Sequence, residues 1–293
     1  MRHRYECPVR WADLDLLGHV NNVVYVDYLQ EARVDMMRHH RGGAAAQQSA
    51  EGLVEGLVVV RHEVDYRTPL LFRFAPVSIE CWVVQVRAAS FTMAYEIFDE
   101  HPDGSRTVHL TATTVLTPFV FSQERPRRLT AEERQALAAY VEDPGPGERA
   151  TRTPAHREEA GYYPVHVRFS DVDVYGHVNN VRYFEYLQEA RISLLARLWD
   201  DPAGASRASM VLARAEVDYK VPILHREAAY DAWSWVSHVG TSSVVVESEI
   251  CDGGTVLARA RVVLVFVDAG TGRSAPPSAA QREPLAAMLA RAG

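Results

Sequence analysis

Residues 9–33 read VRWADLDLLGHVNNVVYVDYLQEAR, and residues 167–191 repeat the stretch almost intact as VRFSDVDVYGHVNNVRYFEYLQEAR. Each copy places two aspartates, a glycine, a histidine and two asparagines between an extended run and an apolar-striped one. Tyr25, Tyr28, Leu29, Ala32 and Met36 recur at spacings of three and four, the period of a helix with one buried face. Asn21 or Asn22 suits the helix N-cap, because its side chain can accept from a first-turn amide that lacks an intrahelical partner. The stretch therefore reads as strand, turn, then helix, with the helix running to His39 or His40 before Gly42-Gly43.

Working outward, Leu57–Tyr66, Val77–Val86, Phe91–Phe98 and Thr107–Phe121 are runs rich in valine, threonine and aromatics. The turn His101-Pro102-Asp103-Gly104 sits between two of them. Ala131–Val141 reads as a short helix, with Thr130 and Glu133 as a capping box. Residues 142–161, EDPGPGERATRTPAHREEAG, have no periodicity and read as a linker. The order then repeats: strand Tyr163–Phe169, a helix over Asn180–Trp199, and strands Met210–Tyr219, Ala229–Val239, Val244–Ile250 and Val256–Val267, closed by a helix over Ala279–Arg291. Asp13 and Asp171 are 158 residues apart, but Glu63-Val64-Asp65-Tyr66 recurs as Glu216-Val217-Asp218-Tyr219 after 153. Five residues are missing from the second copy between its long helix and the next strand. The chain is thus a duplication, with domains at 1–142 and 162–293 joined by a linker at 143–161. Each half is α+β, a largely antiparallel sheet enclosing one long helix, and the two are expected to imitate a homodimer.

At 293 residues each half can bury its own core. The net charge of −7 gives no electrostatic case for nucleic acid or an anionic membrane. Lys220 is the sole lysine, so nearly all positive charge is arginine. Cys7, Cys81 and Cys251 are odd in number and widely spaced, which argues against a disulfide framework and for a reducing, cytoplasmic setting. The start MRHRYECPVRW has no apolar core of a secretory signal, and no run approaches the ~20 apolar residues of a membrane span.

The turn carries the chemistry. Asp13 and Asp15 are two residues apart, so an extended backbone points them to opposite sides. Gly18 admits backbone angles other residues avoid and allows close approach of another chain. Past Asn21 the first helix amides carry partial positive charge. A carboxylate as nucleophile or general base, with an amide donor for the developing oxyanion, is what hydrolysis of an activated acyl group needs. Asp13 and Asp171 also fit a simple turn cap. His19 and His177 either take part or satisfy local backbone, Asn21 and Asn179 fit caps, and Glu31 and Glu189 fit solvated helix positions. No G-x-S-x-G elbow, H-E-x-x-H motif or phosphate loop occurs, and the histidines lack ligand spacing, so no metal or cofactor is expected.

D-x-D-x-x-G-H-V-N-N followed by Y-L-Q-E-A-R resembles the hotdog-fold acyl thioesterases, in the branch of 4-hydroxybenzoyl-CoA thioesterase and the acyl-ACP thioesterases. The resemblance covers both halves. It implies two hotdog domains in tandem, a pseudo-dimeric double hotdog with sites between halves. It implies catalytic Asp15 and Asp173, His19 and His177 matching the histidine of the acyl-ACP branch, and carbonyl-binding amides at Asn22 and Asn180, with Gly18 and Gly176 shaping the substrate site. Leu17 and Tyr175 replace an asparagine of the acyl-ACP branch, which favours the simpler aspartate-centred acyl-CoA arrangement. The expected activity is acyl-CoA hydrolysis without a cofactor, with acyl-ACP as the other carrier. A hydratase or dehydratase on acyl thioesters, and a non-catalytic acyl-thioester binding module, are the rivals. Homo-oligomerisation of the double unit is left open. The two sites are expected to differ in preference, because the loop after the helix differs by five residues.

Overall fold

The apolar periodicities of the two halves become two separate α+β units, residues 1–149 and 150–293. The computed structural model describes residues 1–16, 18–39, 47–49, 52–142, 152–200, 210–268 and 270–292. Leu17 and most of the loop whose length differs between halves, residues 40–46, 50–51 and 201–209, lie outside these residues.

In the first unit, β1 (His3–Cys7) leads through a 3-10 turn into α1 (Val24–His39). Then come β2 (Gln47–Ser49), β3 (Gly52–Tyr66), β4 (Val77–Val86), β5 (Phe91–Glu100), β6 (Arg106–Val120), β7 (Arg125–Pro126) and α2 (Ala131–Ala138). The antiparallel order is β1-β4-β5-β6-β3, with β2 on β3 and β7 on β6. Alternate residues of β4, including Ile79, Cys81 and Val83, point into the core. The helix returns the complementary stripe, Tyr25, Tyr28, Leu29, Ala32 and Met36, all buried. Leu29 is 0% exposed, and a leucine so placed stabilises the fold by roughly 2 kcal/mol through burial alone.

The second unit has β8 (Tyr162–Val165), α3 (Arg182–Leu198), β9 (Met210–Tyr219), β10 (Tyr230–Val239), β11 (Ser243–Asp252), β12 (Thr255–Phe266) and α4 (Ala279–Ala292). Its antiparallel order, β8-β10-β11-β12-β9, matches the first unit strand for strand. The capping box on α2 is present: Glu133 N donates to Thr130 Oγ1 at 3.1 Å and Thr130 N to the Glu133 carboxylate at 2.8 Å. His101–Ser105 and Gly253-Gly254 form hairpin turns, as their residue types require.

Three expectations need revision. The first strand of each half, read from the sequence as His3–Trp11 and Tyr163–Phe169, stops at Cys7 or Val165, because residues 11–13 and 169–171 wind into 3-10 turns. The helices begin at Val24 and Arg182, later than the Asn21 or Asn22 cap implies. Residues 143–151 of the linker lie outside the described residues, but its second part is docked. Arg152 pairs with Asp218 at 2.7 Å, Thr153 Oγ1 donates to Glu247 at 3.0 Å, and Arg157 pairs with Glu249 at 3.0 Å. Polarity without periodicity describes a solvated linker and a charge-laced strap equally well.

Cys7, Cys81 and Cys251 are free and buried, and desolvation pushes the thiols of Cys7 and Cys81 up to about 12. No helix among the described residues is long and apolar enough to cross a membrane.

Candidate active site

The first aspartate of each motif is a foundation stone. Asp13 is 3% exposed, and its carboxylate accepts from Arg10 N at 2.9 Å, Arg10 Nε at 3.0 Å and the Tyr28 hydroxyl at 2.5 Å. Asp171, 1% exposed, accepts from Arg168 N at 2.9 Å, Arg168 Nε at 3.0 Å and Tyr186 at 2.6 Å. Burial alone would raise both carboxyls, but the arginine, tyrosine and amide donors together hold them below the ordinary range. With an amide, a guanidinium and a phenol donating to each carboxylate, these residues cap the 3-10 turn.

The second aspartate opens a tight hairpin. Asp15 N donates to His19 O at 2.8 Å and Gly18 N to Asp15 O at 3.1 Å, while Leu14 bridges Val20. Gly18 has φ +74°, and the second copy repeats the geometry with Gly176 at +78°. This is a three-residue loop closed by a left-handed residue, which glycine enters without a Cβ penalty. A Cβ on either glycine would meet nothing within 4 Å, so the conformation demands glycine and the expected close approach of another segment does not. The loop leaves Asp15 and Asp173 half-buried at the mouth of the turn.

His19 N donates to Asp15 Oδ1 at 3.2 Å, and Tyr175 N donates to Asp173 Oδ1 at 2.9 Å. Burial raises the Asp173 carboxyl above the ordinary range, against the Tyr175 amide, the charge of His177 and the His177 amide, which all pull it down. His19 and His177 close the turns through their main chains.

Asn21 Oδ1 accepts from Val23 N at 3.2 Å and Asn179 Oδ1 from Val181 N at 3.1 Å. These asparagines cap the turn that feeds the helix, and α3 itself has Val181 at its N-cap with no side-chain bond. Among the described residues, the Asn22 backbone amide donates to no group.

Four tyrosines with no expected role in the site tie hairpin and helix start to one segment. Tyr66 and Tyr219 donate to the carbonyls of Asn22 and Asn180, each at 2.8 Å. Val20 N donates to Leu70 O at 2.8 Å, and Leu70 N donates to the Tyr25 hydroxyl at 3.0 Å. The second copy uses Val178, Ile223 and Tyr183 in the same way. Tyr25 meets Tyr66 edge-on at 5.7 Å, and Tyr183 meets Tyr219 at 4.9 Å. The available signal was Glu-Val-Asp-Tyr occurring twice, which had served only to set the register of the duplication.

Apolar side chains stand exposed around the turn: Trp11, Leu16, Leu71 and Phe74 in one copy, Phe169, Val174 and Leu224 in the other. Glu31 and Glu189 face solvent, and Ser90 closes the β4–β5 hairpin through its carbonyl. Arg61 pairs with Glu63 at 2.7 Å, Arg73 with Asp99, and Arg226 with Asp252 at 2.8 Å. Arg67 and Lys220 occupy equivalent exposed positions directly after Tyr66 and Tyr219 and have no ion-pair partner among the described residues. A cleft of 560 Å³ lined by Arg4, Arg73, Ser78, Asp99 and His101 contains no turn residue, and both its arginines are neutralised by carboxylates.

Residues 9–140 and 167–285 each match the model of the thioesterase-like superfamily. The chain is 31% identical to the uncharacterised Bacillus subtilis protein YsmA over 129 residues, 41% of this chain and 82% of that one. It superposes on a Lactobacillus plantarum protein assigned as an oleoyl thioesterase with a TM-score of 0.74 and 16% identity, covering 92% of this chain and 97% of the other. For the 12:0-ACP thioesterase of Umbellularia californica the TM-score is 0.69 with 17% identity and coverage of 90% and 97%. At these identities the likeness is one of fold. Two family matches, each beginning at its own aspartate turn and buried helix, place the chain in the thioesterase-like superfamily, as a thioester hydrolase of two tandem hotdog units.

Proposed function

We propose that the protein hydrolyses acyl-CoA to a carboxylic acid and coenzyme A, using Asp15 and Asp173. The observation that carries this reading is the division of labour between the two aspartates of each motif. Asp13 and Asp171 have their carboxylates occupied by structural donors, while Asp15 and Asp173 sit half-buried at the turn mouth, next in sequence to the helix entrance. The carboxylate either removes a proton from water or attacks the thioester carbon. In the first route water adds to the carbonyl carbon and the thiolate leaves; in the second the carboxylate displaces the thiolate to form an aspartyl anhydride, and water then hydrolyses it to the acid and the free aspartate. In both, the oxyanion would be met by the helix-entrance amide at Asn22 or Asn180, where the helix dipole adds to the hydrogen bond. His19 and His177, four residues after the aspartates, would return the proton to the leaving thiolate. Gly18 and Gly176 hold the turn in its left-handed geometry.

Exposed apolar side chains around each turn suit an acyl group. Arg67 and Lys220, one residue from the tyrosines that hold the helix entrance, suit the phosphates of coenzyme A. Nothing in this route requires a cofactor beyond water. The reduced, buried cysteines suit the cytoplasm.

The test is release of free thiol from acetyl, medium-chain, long-chain and aromatic acyl-CoA by the parent and by Asp15→Asn, Asp173→Asn and the double variant. Loss of a general base or nucleophile should lower kcat by about 10²–10⁴ in the double variant. Unchanged turnover there would remove both aspartates from the mechanism. Acyl-ACP assayed in parallel settles the carrier, and label found in the aspartate after single turnover in ¹⁸O water would establish the anhydride route, since only attack by the carboxylate can put it there.

A further inference from the structure

The C-terminal end of α1 is tied to the first strand by chemistry that the second unit lacks. In the second unit Arg197 Nη1 donates to the carbonyls of Glu159, Ala160 and Tyr162, at 3.1, 3.2 and 2.7 Å. Shifted by the 158 residues that separate the two turns, Arg197 corresponds to His39, Ser193 to Asp35 and Gly161 to His3. In the first unit these three residues converge. His3 Nε2 lies 3.0 Å from Asp35 Oδ2, and His39 Nδ1 lies 3.3 Å from the same oxygen. The His3 and His39 ring centroids are 5.8 Å apart, and the three donor atoms all fall within 4.8 Å of one another.

We infer that His3, Asp35 and His39 form a binding site for a divalent transition metal, with Zn²⁺ the best match. Two imidazoles and one carboxylate are a ligand set for this ion, which then keeps one position for water. Ligands at about 2.05 Å in a tetrahedron stand roughly 3.3 Å apart, so two of the three edges are already near the required length. Asp35 and His39 are one helical turn apart on one face of α1, and β1 supplies the third ligand from across the sheet edge. His3 and Asp35 are mostly buried, at 10% and 17% exposure, and so are largely held in place before an ion arrives.

Binding has identifiable costs. His39 Nδ1 now bonds the Asp35 carbonyl at 2.9 Å, so coordination through that nitrogen moves its proton to Nε2 and gives up the bond. Arg38 holds Asp35 Oδ1 at 2.8 Å, which leaves Oδ2 for the metal but places a cation nearby. From Val24 to Asp35 the helix rises about 16 Å, so the site stands well away from the hydrolytic turn. Its effect would be to pin the helix end to β1. Pairs of histidines show no ligand spacing because one ligand is a carboxylate and another comes from a distant strand.

The test uses tag-free, chelator-stripped full-length protein. Calorimetric titration with Zn²⁺ should show one site per chain, a raised Tm, and a tetrahedral visible spectrum with Co²⁺. His39→Ala, on the exposed last turn, should weaken binding by about tenfold or more and abolish the Tm rise, and His3→Gln should do the same. Zn²⁺ affinity and Co²⁺ spectrum equal in parent and in both variants would overturn the proposal, as would no binding by the parent. Either result would leave the trio as a plain tether, the counterpart of Arg197. Should His3→Gln fail to fold, His39→Ala decides alone. Neither residue belongs to the hydrolytic turn, so the outcome is independent of the aspartate assignments.

Discussion

Removing one hydroxyl, with Tyr28→Phe, tests whether Asp13 anchors the turn. The Tyr28 phenol donates to a carboxylate that is 3% exposed, and the ring itself is buried, so phenylalanine keeps the packing and loses only the bond. Hydrogen bonds to buried charged groups contribute roughly 1.5–3 kcal/mol. Arg10 N and Arg10 Nε stay on the carboxylate, so about 2 kcal/mol is expected, or roughly 4–8 °C in Tm for a unit of this size. The pH dependence has a definite sign. Burial tends to raise the Asp13 carboxyl, but Arg10, Tyr28 and the Arg10 amide together hold it below its ordinary value. A lowered folded-state value gives stability that is complete above the unfolded value, near 3.9, and fades as pH falls through the folded value. Without the phenol the folded value rises, so the deficit of the variant should be full at pH 7 and 5 and narrow towards pH 3. Urea unfolding followed by circular dichroism at these pH values measures it, and a cycle with Asp13→Asn isolates the coupling. A deficit below about 0.5 kcal/mol at pH 7, or one that does not change with pH, would refute the anchoring role.

Asp173→Asn should raise Tm at neutral pH, because burial lifts the Asp173 carboxyl and the ionised form then opposes folding; the gain should disappear in acid, where the parent is protonated. In an Asp15→Asn background, where only the second turn works, the acid limb of the kcat profile should lie above the ordinary carboxylate range, and a limb at pH 4 or lower would contradict this. Gly18→Ala, at φ +74°, should cost about 1–2 kcal/mol through backbone strain alone, since the new methyl meets nothing; a neutral result by calorimetry would deny the left-handed requirement. Arg67→Glu with Lys220→Glu should raise KM for acyl-CoA while leaving kcat and KM for a short thioester without the nucleotide unchanged, and equal effects on both substrates would remove these residues from phosphate binding.

What was legible in the sequence was whatever repeats locally. The stripe from Tyr25 to Met36, the alternation in Val77–Val86 and the Thr130–Glu133 box report contacts within one element, so their periods survive in the primary structure. The ranking of Asp15 over Asp13 came from the resemblance, and the bonds of Asp13 supply its physical basis. Long-range pairings were invisible. Tyr66 reaches Asn22 from 44 residues away and His3 reaches Asp35 from 32, and no periodicity encodes either. The late helix start has a local cause that residue type alone conceals: Asn21 spends its side chain on Val23, so the chain completes a turn before the helix ladder begins.

The strap formed by residues 152–157 bears on how such a duplicated chain can be taken apart. Glu216, Glu247 and Glu249 are at most 3% exposed, and Arg152, Thr153 and Arg157 bring them counter-charges and donors alongside Arg259 and Arg261. A fragment beginning at Tyr162 would keep every β-strand and α-helix of the second unit yet strip Arg152, Thr153 and Arg157 from three buried carboxylates, leaving their neutralisation to Arg214, Arg259 and Arg261. A fragment beginning upstream of Arg152 carries its own neutralising residues. Where one unit can be severed from its neighbour is therefore decided by the nearest upstream guanidinium its interior acids require, and the first β-strand is a misleading landmark for the cut.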